Sequence, residues 1–121
     1  EPKTGEEIEL PLEKLSTKKG TSAVYQLRFP KIGRYELVFR MSSTLGELAQ
    51  LPISVFLNNT LQQTVTLNGT EGQTMERVVT LPIRQDGEKY MKLYFGESGI
   101  DMHRMFLRYV GKNDIESIRN E

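Results

Sequence analysis

At 121 residues the chain is long enough for one domain to bury its own core without metal or disulfide staples. Lysine plus arginine (16) equal aspartate plus glutamate (16), so no overall field steers it towards nucleic acid or an anionic membrane, and neither is expected as a partner. The absence of cysteine excludes thiolate catalysis, cysteine-based zinc sites and disulfides, and leaves the compartment open.

No apolar run reaches the roughly 20 residues of a bilayer span, and the start "EPKTGEEIEL" lacks the basic-then-apolar order of a signal peptide. That acidic, proline-containing start and the polar end "GKNDIESIRNE" read as cut edges. The expectation is one domain over residues 1–121, taken from a larger polypeptide, with 112–121 a polar tail.

In chain order the apolar residues recur with period two, the mark of half-buried strands. A short strand is predicted over Ile8 to Leu12, followed by one with Ala23, Tyr25, Leu27 and Phe29 on a single face. In "YELVFRM", Tyr35, Leu37, Phe39 and Met41 share a face and leave Glu36 and Arg40 on the other. The connection "SSTLGELAQLP", Ser42 to Pro52, has room for one helical turn. Strands follow at Ile53, Val55 and Leu57, at Thr64 to Leu67, at Arg77 to Ile83, at Met91, Leu93 and Phe95, and at Met105 to Val110. A last helical turn is placed near Asp114 to Arg119.

Turn chemistry separates them: "PKIG", "LNNT", "NGTEG", "QDGE" and "GESG". About eight strands without a convincing amphipathic helix predict an all-β, antiparallel β-sandwich or jelly roll. The methionines read as adaptable core filling. The acceptor patterns "NNT" at Asn58 and "NGT" at Asn68 fall in turns and read as chance matches.

Taken in order, "YQLRFPKIGRYELVFRMSS", "LPISVFLNNTLQQTVTLNGTEG" and "VVTLPIRQDGEKYMKLYFGESGIDMHRMFL" resemble carbohydrate-binding modules of the family 6 and family 35 type, galactose-binding-like jelly rolls attached to glycoside hydrolases. The likeness covers Ala23 to Tyr109. It implies a glycan as ligand, a catalytic domain of the same polypeptide as partner, and a secreted, periplasmic or cell-surface protein. It also implies a non-catalytic domain with a sugar site at the loop edge, where aromatic rings stack on the apolar face of a pyranose and polar groups fix its hydroxyls.

Carried over position by position, the family's threonine-glycine-glycine-tryptophan turn falls on Thr70, Glu71, Gly72 and Gln73, so the stacking tryptophan is replaced by Gln73. Its ligand asparagine falls on Asp101. Its calcium site would combine acidic residues of the first strand, here Glu7 and Glu9, with an aspartate at the position of His103. Neutral imidazole suits a hard cation poorly, so no calcium and no other cofactor are expected.

Asp101, His103, Glu97 and Gln73 are thus the candidate loop-edge ligands. By period two, Asp101 and His103 are predicted to share a face with Met105, Leu107 and Tyr109, at the polar rim of an apolar stripe. A hydrolytic role for His103 would need a nucleophile and an orienting acid, and no motif places one. Glu6, Glu7 and Glu9 read as a solvated strand edge rather than a glycosidase pair. Tyr90 and Tyr94 lie opposite Met91, Leu93 and Phe95, where they could form a second sugar platform on a sheet face or cover it against a neighbouring domain. The alternative to sugar binding is a structural module of the same fold that packs against the hydrolase.

Overall fold

The computed structural model of the chain describes residues 7–112. It contains eight strands: β1 (Glu7–Leu10), β2 (Ser22–Phe29), β3 (Gly33–Ser42), β4 (Gln50–Leu57), β5 (Thr60–Asn68), β6 (Met75–Ile83), β7 (Gly87–Phe95) and β8 (Asp101–Gly111). They pair antiparallel in two four-stranded sheets, ordered β1-β8-β3-β6 and β2-β7-β4-β5. Every consecutive pair except the β4–β5 hairpin crosses between the sheets, and the two apolar faces close on one core.

The alternation read from sequence supplies that core. Leu37, Phe39 and Met41 of β3 and Met105 and Leu107 of β8 meet Ile53 and Val55 of β4 and Met91, Leu93 and Phe95 of β7 in a single buried cluster. Met75 is an exception to the reading of methionines as core, since it stands exposed at the start of β6.

At one end lie the short connections 30–32, 58–59 and 84–86. The two-residue hairpin of Asn58 and Asn59, at φ 48° and 68°, has both residues left-handed, the twist a tight hairpin requires. At the other end lie four longer connections, 11–21, 43–49, 69–74 and 96–100. The helical turn predicted within Ser42 to Pro52 is replaced by a loop with one tight turn, closed by Ala49 N donating to Gly46 O at 3.0 Å. Its flanks are absorbed into β3 and β4. The turn expected near Asp114 to Arg119 lies outside the described residues.

Candidate functional site

The four longer connections form the end of the sandwich where the loop-edge ligands were expected. Asp101 and His103 belong to an open groove of about 390 Å³ between the 11–17 segment and the start of β8, with Leu12, Leu15 and Thr17 opposite them. Thr17 closes its base by donating to the Ile100 carbonyl at 2.6 Å.

The phase of β8 changes here. Inward Met41 is paired with Met102 and not with His103, because a bulge interrupts the β3–β8 register between Arg40 and Met41. Cross-strand partners share a face, so Met102 joins the core while Asp101 and His103 turn away from the face of Met105. The predicted common stripe is therefore corrected by one inserted residue. Ser42, one step beyond Met41, faces the same way as His103, and its Oγ lies 2.8 Å from His103 Nε2. Among the described residues no carboxylate holds the other ring nitrogen.

Gln73 lies elsewhere. It lines a second groove, of about 450 Å³, with Glu47, Asn68, Thr70, Glu71 and Arg77. Between the two grooves runs the 43–49 loop. Its backbone is tied to the 69–72 turn by Thr70 N and Gly72 N donating to Ser43 O, Glu71 N to Leu45 O and Gly69 N to Ala49 O. The buried Thr70 hydroxyl adds two more bonds, accepting from Ser43 N at 2.8 Å and donating to Ser43 O at 3.0 Å.

Two glycines let this exposed loop lie close against its neighbouring turns. A Cβ on Gly69 would overlap the Gly46 carbonyl, and one on Gly99, at φ +123°, would come within 2.7 Å of Leu45 Cδ1. Leu45 thus touches both turns, its backbone at Gly69 and its side chain at Gly99. Glu97 stands at a third place, at the tip of the 96–100 turn, 3.7 Å from Lys19 Nζ. The four residues expected to converge are therefore distributed over three surfaces of one end.

The corner where calcium would sit is filled by protein. Glu7 Oε1 accepts from Arg104 Nη2 at 2.8 Å and Glu9 Oε1 from Arg104 Nε at 2.6 Å. The guanidinium also lies 4.1 Å above the Phe106 ring. These bonds, to Glu9 first and then Glu7, hold the Arg104 pKa above its usual value. With both carboxylates engaged and an imidazole at position 103, the residues do not fit a calcium ion.

The two outer sheet faces differ in character. On the β1-β8-β3-β6 sheet, cross-strand charges pair: Arg108 with Glu36 at 2.8 Å and Arg40 with Glu76 at 2.8 Å, beside the Arg104 cluster. The β2-β7-β4-β5 sheet presents Tyr90, 56 % exposed, and Tyr94, 40 % exposed, on β7. Tyr94 is flanked by Ser22 and Ser54, and Tyr90 by Gln26. Between the tyrosines Lys92 reaches over the Phe56 ring, its Nζ 4.5 Å from the centroid. Hydroxyls continue the row, with Ser54 Oγ 2.9 Å from Thr64 Oγ1. Phe56 was readable from the outward parity of "ISVFL"; Leu45, whose placement depends on two distant turns, carried no such signal.

No protein-family model matches the chain. It is 28 % identical over 96 residues to a β-glucosidase of Ruminococcus albus, a match covering 79 % of this chain and 10 % of that one. The chain thus spans about a tenth of the length of this relative. Among solved structures, a family 35 carbohydrate-binding module from an environmental isolate superposes with a TM-score of 0.61 at 18 % identity, covering 78 % of this chain and 69 % of that one. A family 6 module of Cellvibrio mixtus lichenase 5A, in complex with cellotriose, superposes at 0.60 with 12 % identity, covering 92 % and 91 %. The fold is the carbohydrate-binding-module jelly roll.

Proposed function

We propose that the chain is a non-catalytic carbohydrate-binding module of a secreted or surface glycan-processing protein, and that it binds sugar on the outer face of the β2-β7-β4-β5 sheet. The fold, the β-glucosidase relative and the cellotriose complex of a neighbour support the ligand class. The observation that carries the choice of surface is the pair of exposed tyrosines on a face with few charges.

A tyrosine ring offers an apolar plane to sugar C–H groups, and the flanking Ser22, Ser54 and Gln26 can both donate to and accept from hydroxyls. Tyr90 and Tyr94 are about 13 Å apart along β7 at the usual strand rise, too far for one ring to cover both. The ligand is accordingly a chain of sugars. At the loop edge, by contrast, the aromatic platform is replaced by Gln73, and Gln73 and Asp101 line separate grooves. Asp101, His103, Glu97 and Gln73 are then peripheral.

The experiment is titration of the 121-residue chain with cello-oligosaccharides, soluble β-glucans and xylans. Tyr90→Ala and Tyr94→Ala are each expected to weaken a hit tenfold or more, about 1.4 kcal/mol, and Asp101→Ala to leave it unchanged. Loss of the hit in Asp101→Ala alone would return the site to the loop edge. Silence across the panel would favour the structural reading, since the same face also exposes Val24 and Leu61.

A further inference from the structure

The sandwich has four edge strands, and three carry devices that discourage another strand from docking. β1 is four residues long and bears Glu7 and Glu9. β6 bears Glu76, Arg77 and Pro82. β2 bears Arg28, and the Pro11–Lys14 segment lies alongside it, with Tyr25 donating its hydroxyl to the Pro11 carbonyl at 2.7 Å.

Among the described residues β5 carries no charge, no proline and no segment alongside it. Its sequence TLQQTVTLN has neither charge nor proline, and Thr60 through Thr64 are exposed throughout. Its one irregularity is a bulge near the hairpin, where Val55 pairs with Gln63 but Phe56 with Leu61; from Gln63 to Asn68 the ladder is regular. The neutrality extends further, because no Asp, Glu, Lys or Arg occurs from Leu48 to Thr70 in a chain that is 26 % charged.

We infer that β5 is a strand-docking edge whose occupant is β5 of a second copy of this chain, paired antiparallel about a two-fold axis perpendicular to the sheet. Two four-stranded sheets then form one of eight strands. The neutrality identifies the occupant. Two copies of a strand with net charge bring like charge together along the seam, whereas two copies of this neutral strand do not. Hydroxyl and amide side chains suit such self-pairing, because each both donates and accepts. With the axis at Val65, Thr64 lies opposite Thr66 of the second copy and Gln63 opposite its Leu67. A foreign strand would be selected by complementary charge, and β5 offers none.

The axis keeps Tyr90 and Tyr94 of both copies on one side of the joined sheet. If they bind glycan as proposed above, the pair is bivalent; the pairing itself does not depend on that reading.

Sedimentation of the full 121-residue chain from micromolar to millimolar concentration tests this. The mass is expected to move from 13.9 kDa towards twice that value. Thr64→Lys/Thr66→Lys, both on the solvent side, should remain monomeric across the range with an unchanged circular dichroism spectrum. The chain has no cysteine, so Thr64→Cys/Thr66→Cys should oxidise to a covalent dimer while Val24→Cys/Gln26→Cys on the β2 edge should not, because a disulfide requires Cα atoms within about 7 Å. A wild type monomeric at the highest concentration, a dimer that survives the two lysines, or a monomer that instead captures a synthetic extended peptide on β5 would each overturn the inference.

Discussion

Arg104 illustrates how a single side chain can tie an edge strand to its sheet. It lies between Glu7 and Glu9 of β1 on one side and the Phe106 ring on the other, so it ties the edge strand to β8 with a charge carried by the chain itself. Charge-assisted bonds from one planar group to two carboxylates fix geometry better than a single exposed ion pair. Thermal unfolding is therefore expected to be unmoved by EDTA, and Arg104→Ala is expected to lower the midpoint by a few degrees. A midpoint that falls on chelation would show that a metal contributes at this corner after all. The carboxylates of this cluster were legible in "EEIEL". Their partner was not, because only the β1–β8 register, with Glu9 opposite Phe106, brings position 104 to them.

At the scale of elements, strand identity was the readable part, since alternation is a local property of sequence and it dictates which face is buried. The regular middles of β2, β3, β4 and β7 follow from it directly. What alternation cannot show is a bulge: one extra residue in β8 sends Met102 inward and His103 outward, and nothing within "DMHRM" announces it. The start of β5 was missed for a related reason, because Thr60 to Gln63 are exposed and lack an apolar stripe. The loop 43–49 is the larger lesson. Its close seating against the neighbouring turns depends on Gly69 and Gly99, distant in sequence. Gly69→Ala drives a methyl group into the Gly46 carbonyl, a backbone atom that cannot rotate aside, and should destabilise the domain by about 1–3 kcal/mol in urea unfolding. If Gly69→Ala proves neutral, the loop is free to lift, and the grooves at Gln73 and Asp101 can merge.

Over the whole molecule the two ends have separate tasks: one carries the long loops, and the other holds the sheets together through tyrosines. There Tyr35, fully buried, packs edge-on against Phe29 and at 61° to Tyr109, each at 5.0 Å between centroids. Its hydroxyl donates to the Lys31 carbonyl at 3.0 Å, while Tyr109 donates to the Ile32 carbonyl at 3.2 Å. Burial raises the Tyr35 pKa above its ordinary value, an effect opposed by the Lys31 backbone N–H, which donates to the phenol oxygen at 3.3 Å, and reinforced by Tyr109. Because the fold favours the protonated phenol, the stabilisation is complete below about pH 10, where a free tyrosine titrates, and is lost as pH climbs through the higher folded value. The urea midpoint should thus hold steady through neutral pH and fall above about pH 10, as tyrosinate absorbance appears together with unfolding. Tyr35→Phe should cost about 0.5–1.5 kcal/mol at neutral pH through the lost hydrogen bond, yet flatten the alkaline decline. The flattening is expected to be partial, because burial also raises the Tyr25 pKa. An identical alkaline slope in Tyr35→Phe would move the pH sensitivity away from this end, to Tyr25 and the segment it holds beside β2.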